Sequence, residues 1–181
     1  IEVVGFRSFG SCPQRLEFSS PLAVIHADNS QGKTSLAEAV EFLFTGTTSR
    51  RQLGGGSPQE YSNALRNVHV APDTEVYVEA GIQLPSGVAV LRRTLTRDYD
   101  GASDCASRLT YDGQPIDGVA ATGIRLAGPP ISAPVLLEHA LRYAVSAKPG
   151  ERSEFFRAII EAADLDEIRT TLDRVLAERE R

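Results

Sequence analysis

The sequence predicts an α/β fold, and three observations carry the prediction. A compact apolar run, Leu22-Ala23-Val24-Ile25, is followed within a few residues by Gly32-Lys33-Thr34 and then by a helical pattern, which gives the order strand, loop, helix. Alternating apolar and polar residues over 75–97 and 108–111 add an antiparallel layer. The chain has 181 residues, 41% of them hydrophobic, which suffices for one ordinary globular domain with its own core.

Taken in order, Ile1 to Phe9 carries Ile1, Val3, Val4 and Phe6, and Arg15 to Phe18 alternates, so two short antiparallel strands should flank a turn at Gly10 to Pro13. Leu22 to Ile25 suits a central strand buried on both faces. From Ser35 to Phe44, Leu36, Val40 and Leu43 fall at helical spacing, Glu38 and Glu41 lie on another face, and Gly46 is placed to stop the helix. The stretch 47–67 is polar and glycine-rich, including Gly54-Gly55-Gly56-Ser57-Pro58. It reads as a surface loop leading into a short amphipathic piece around Tyr61 to Leu65. Strands over Glu75 to Leu84 and Val88 to Arg97, joined at Pro85-Ser86-Gly87, and a third over Arg108 to Tyr111 before Asp112-Gly113, form an antiparallel meander. Gly128-Pro129-Pro130 precedes a predominantly helical end. There Leu165, Ile168, Leu172 and Val175 repeat at three-four-three spacing, which fits the start of a coiled coil or an amphipathic helix packing on a core.

Composition narrows the function classes. With 19 basic and 24 acidic residues the net charge is -5, so the chain as a whole is no nucleic-acid glove and any DNA contact must be local. Cys12 and Cys105 lie far apart without metal-ligand spacing, which fits a reducing, cytoplasmic setting. No apolar run approaches the roughly 18 to 20 residues of a membrane span, and the N-terminus lacks a signal-peptide pattern. A start at Ile1 and a charge-rich end, Ala177 to Arg181, read as a piece cut from a longer chain.

The chemistry lies in the loop. The phosphate-binding pattern G-x-x-x-x-G-K-[ST] is met at seven of eight positions by Ala27-Asp28-Asn29-Ser30-Gln31-Gly32-Lys33-Thr34, with Ala27 in place of the first glycine. Gly32 lets the backbone approach phosphates, the loop amides and helix N-terminus hold anionic oxygens, and Lys33 neutralises the outer phosphates. Thr34 would place its hydroxyl on magnesium, and Ser35 completes the loop. An ordinary helix start is the bland alternative.

Gly5-Phe6-Arg7-Ser8-Phe9, then Ala27 to Ser35, then Leu36-Ala37-Glu38-Ala39-Val40 together resemble the opening of the heads of SMC, RecF and SbcC type ATPases. Ala147 to Arg152 with the following Phe155, Phe156 and Ile160 resembles the segment that leads to their coiled coil. Residues 47–130 match only in outline. The resemblance implies a P-loop NTPase of ABC type, with residues 1–163 as the N-terminal lobe of a head and 164–181 as the start of a coiled coil or connecting helix. It implies ATP and magnesium as cofactors and nucleotide contacts from Asp28 to Ser35. Arg7 stands where the family has a basic residue near the nucleotide, and Arg50, Arg51 and Arg66 flank the glycine-rich loop, where the family can place arginines near phosphates or DNA, so Arg7, Arg50 and Arg51 are further candidates for nucleotide contact. Where the family has its glutamine-loop residue, this sequence has Glu138 or His139, and the Glu138 carboxylate is a candidate magnesium ligand. His26 and His69 read as structural.

In that family a C-terminal half supplies the Walker B site, the signature and the switch histidine, and none of the three occurs here. The implied partners are therefore that half, a second head, DNA, and a nuclease or other subunit. The implied work is DNA repair, chromosome maintenance or anti-phage defence, with ATP driving head engagement and Arg50, Arg51, Arg92 and Arg93 offering phosphate contacts to DNA. Other classes are a regulatory nucleotide-binding module without turnover, a transporter-type ABC subunit, which keeps all its motifs in one compact domain, and a small-molecule kinase.

Overall fold

The computed structural model describes residues 1–20, 22–29, 31–48, 65–84, 87–100, 104–124, 126, 148–150, 152 and 153. Among the described residues, six strands form one antiparallel sheet: β1 (Glu2–Val4), β2 (Gln14–Arg15), β3 (Val76–Leu84), β4 (Gly87–Arg97), β5 (Ala106–Tyr111) and β6 (Gln114–Ile116), in the order β2-β1-β3-β4-β5-β6. The helix α1 (Lys33–Thr45) packs on β3 and β4.

Period-two alternation decides which face α1 covers. Val76 and Val78 of β3, Leu91 and Leu95 of β4 and Leu109 of β5 are buried on the helix side, where they meet Leu36, Ala39, Phe42 and Leu43. Phe6, just past β1, stacks on Phe42 with ring centroids 5.3 Å apart. The opposite face carries a polar ladder in which Arg15 of β2 pairs with Glu2 of β1, and the Tyr77 hydroxyl of β3 donates to Glu2 at 2.7 Å. Arg92 of β4 lies over the Tyr77 ring and pairs with Glu75 and Glu79.

The hairpin at Gly10 to Pro13, α1 and the meander agree with the sequence. Gly46 ends α1 in the left-handed region, φ 79°, and its N–H donates to the Phe42 carbonyl. The strand β6 went unforeseen. It is three residues long and holds Pro115, so its alternation is too short to register.

Two expectations are corrected. Leu22 to Ile25 form no strand, and Leu22, Val24 and Ile25 are 79%, 85% and 45% exposed. The apolar composition is that of a buried strand, but no described strand pairs with it, and a strand with neither neighbour has nothing to hydrogen-bond or pack against. On α1, Glu38 and Glu41 are buried to 1% exposure while Val40 is only half-buried. Glu38 is turned inward, where Arg7 reaches across to it. The amphipathic piece before Leu65 and the helical C-terminal region, 164–181 included, lie outside the described residues.

Candidate functional site

The site is built at the N-terminus of α1. Gly32 is the N-cap, with φ 84°, a conformation that disfavours any side chain, and no side chain caps the helix. The first intrahelical bond runs from Leu36 N–H to the Gly32 carbonyl at 2.9 Å, which leaves the amides of the first turn outside the intrahelical ladder. There is no acidic residue in that turn. An uncapped helix start of this kind, carrying the positive end of the helix dipole, attracts an anion.

Lys33 is exposed and bends back over the preceding loop, where its Nζ donates to the carbonyls of Ala27 and Asp28, each at 2.6 Å. One ammonium thus ties the loop into a curve beside the helix start. Asp28, Asn29, Gln31 and Thr34 are exposed around it, whereas Ser35 is buried. Ser30, Arg50, Arg51 and Glu138 lie outside the described residues. Among the described residues, no group of three His, Cys, Asp or Glu side chains could hold a metal ion.

The β1–β2 connection forms the wall of the site. Ser8 and Ser35 join by a hydroxyl-to-hydroxyl hydrogen bond, and the Ser8 Oγ lies 3.5 Å from where a Cβ on Gly32 would stand. Arg7 Nε meets Glu38 Oε2 at 2.7 Å, one turn into α1. Sequence reasoning found Arg7 but missed Ser8 and Glu38. Ser8 had a signal in its place inside Gly5 to Phe9, while a glutamate beside an apolar stripe reads as solvated until its partner is seen.

The remaining basic candidates are engaged elsewhere. Arg66 donates to the carbonyls of Ala71 and Thr74. Arg92 belongs to the polar ladder described above, and Arg93 is 8% exposed and donates through Nε to the Leu43 carbonyl at 2.9 Å and through Nη1 to Ser107. Desolvation draws the Arg93 guanidinium down to about 10, so it stays cationic at neutral pH and caps the C-terminal end of α1. The expected DNA-phosphate contact of Arg93 is therefore corrected, because its guanidinium is buried and spends its donors inside the protein, whereas Arg92 stays partly exposed on the outward face. Burial pushes the Cys105 thiol up, and its sulfur donates to the Gly46 carbonyl, so it is a structural cysteine. His26 and His69 are exposed outside any strand, and the His69 N–H donates to the Asn67 side chain.

Comparison with known proteins agrees with this architecture. The family model for an AAA domain matches residues 1–104. No curated protein matches the sequence. A solved structure described as structural biochemistry of ATP-driven dimerization and DNA stimulated activation of SMC ATPases is similar with a TM-score of 0.56 and 19% identity. The alignment covers 87% of this chain and 96% of that one, and at this identity the likeness is one of fold. Because the family match runs over more than half of the chain and takes in β1, the loop, α1, β3 and β4, the protein belongs to the AAA-domain family and has the fold of an SMC ATPase.

Proposed function

We propose that the chain is the ATP-binding lobe of an SMC-like ATPase, in which the loop 27–35 holds the phosphates of ATP and magnesium. The observation that carries this reading is the uncapped, acid-free start of α1 with the Lys33 ammonium standing over the loop. The donor set suits a polyphosphate, since backbone amides and Lys33 meet anionic oxygens and the exposed Thr34 hydroxyl is of the kind that joins a magnesium shell. Lys33 would exchange two neutral carbonyls for a phosphate, a charge-assisted partner. Bound ATP supplies the phosphoryl group whose hydrolysis powers the cycle.

A complementary half fits the exposed Leu22 to Ile25 segment, because apolar side chains of a central-strand composition stand open there. Head pairing driven by ATP and stimulation by DNA are named for the similar SMC structure and extend to this chain as part of the same proposal. The proposal extends to work in DNA repair, chromosome maintenance or phage defence, and a regulatory module that binds ATP without turnover shares the same loop.

The test is titration calorimetry with ATP and magnesium on the full-length protein and on Lys33→Ala. We expect the substitution to weaken binding at least tenfold, as loss of a charge-assisted contact to phosphate does. Equal affinity in both proteins would refute the phosphate assignment. Hydrolysis that depends on the complementary half would favour the ATPase over the regulatory module.

A further inference from the structure

Asp98, the residue after β4, is remote in sequence from the loop 27–35, yet a short chain of hydrogen bonds joins the two. Its carboxylate accepts three backbone N–H groups: Arg66 at 2.7 Å, Leu65 at 3.3 Å and Tyr99 at 2.7 Å. The Leu65 peptide is gripped from its other end as well, for the Leu65 carbonyl accepts the Arg7 N–H at 2.7 Å. Phe6 and Arg66 form an antiparallel bridge, and the Asn67 N–H donates to the Gly5 carbonyl at 2.8 Å. One residue, Leu65, therefore separates the Asp98 carboxylate from the backbone of Arg7.

Arg7 is an unusual place for such a link to end. Its φ is +53°, a left-handed conformation that a residue with a side chain adopts only when its surroundings over-determine it. With this backbone the guanidinium meets Glu38 on α1, and the next residue, Ser8, reaches Ser35 in the first turn of the same helix. An anionic carboxylate that accepts three backbone donors is a strong local anchor. It supplies the side-chain acceptors for the Leu65 and Arg66 N–H groups, in the segment whose other side is bonded to Gly5 and Arg7.

We propose that Asp98 is a positioning residue for nucleotide binding, acting through Leu65 to hold Arg7 in its left-handed conformation beside the first turns of α1. The inference rests on the reading that the α1 N-terminus takes the phosphates of ATP. It predicts coupling between Asp98 and Arg7, which a general loss of stability would not produce.

The experiment is a double-mutant cycle on the full-length protein, reading the affinity for a non-hydrolysable ATP analogue with magnesium in Asp98→Asn, Arg7→Ala and the double variant. Each single substitution is expected to weaken binding about tenfold, with the double no weaker than Arg7→Ala alone. Asp112→Asn is the control. It alters a similar carboxylate-to-backbone bond, from Val90 N–H at 2.7 Å, in the β5–β6 turn at the edge of the sheet, and should leave affinity unchanged. Should Asp98→Asn fail to fold, amide exchange of the unmutated protein gives the answer, since nucleotide should slow exchange at Arg7, Leu65 and Arg66. Additive losses, no loss in Asp98→Asn, or unchanged exchange at those three amides would each overturn the role of Asp98. Full affinity in Lys33→Ala would instead overturn the phosphate reading itself, so the two failures are told apart.

Discussion

Arg93 and Gly46 meet at the C-terminal end of α1, where a buried cation and a left-handed glycine close the helix together. A Cβ on Gly46 would stand 2.9 Å from Arg93 Nη1 and 3.2 Å from Ser107 Oγ, and the glycine's φ of +79° already disfavours a side chain. Gly46→Ala should therefore destabilise the protein by about 1 to 3 kcal/mol, read as a lower urea midpoint, because backbone strain and displacement of the Arg93 bonds act together. The glycine was legible in the sequence as a helix stop. The arginine was not, since Arg92 and Arg93 stand side by side and composition treats them alike. Strand parity separates them, for Arg93 shares the inward face with Leu91 and Leu95, whereas Arg92 shares the outward one with Val88 and Val90. Reading that parity would have removed Arg93 from the list of DNA contacts.

At the scale of elements, the outward face of the sheet is tied together across four strands by the ladder from Arg15 through Glu2 and Tyr77 to Arg92. The Tyr77 hydroxyl, with Arg15 second, holds the Glu2 carboxyl below its ordinary value of 4.5, while burial and the bond to Glu2 push Tyr77 up to about 12. A depressed carboxyl adds stability above its unfolded value and loses it as pH falls through the folded one. Tyr77→Phe removes the largest cause of the depression, so acid unfolding followed by circular dichroism should begin at a higher pH than in the parent. At the alkaline end, the parent should lose stability between about 10 and about 12 as Tyr77 ionises, and the variant should lack that component. The hairpins were legible because long alternation and turn residues agree. Leu22 to Ile25 misled because apolar composition reports what a segment requires and not whether its neighbours are at hand.

For the whole molecule, the same segment sets a prediction about assembly. Val24 is 85% exposed, so Val24→Asp should leave the stability of this lobe within about 0.5 kcal/mol. If the segment is the seam of a complementary half, the substitution should abolish co-purification of that half, and retained association would place the seam elsewhere. The site was legible as far as the loop itself, where spacing alone marks Gly32, Lys33 and Thr34. Its wall was not, because the pairing of β1 with β3 and the bridge at Phe6, which no local pattern encodes, carry Ser8 to Ser35 and Arg7 to Glu38 on α1. That pairing also orders events in time. The hairpins β3–β4, β4–β5 and β5–β6 join neighbours in the chain and can close early, whereas Glu2 must find Glu79 after α1 and all that follows it have been accommodated. Docking of β1 is thus expected to be the slow, late step of folding, with the helix start acquiring its wall when that step is complete.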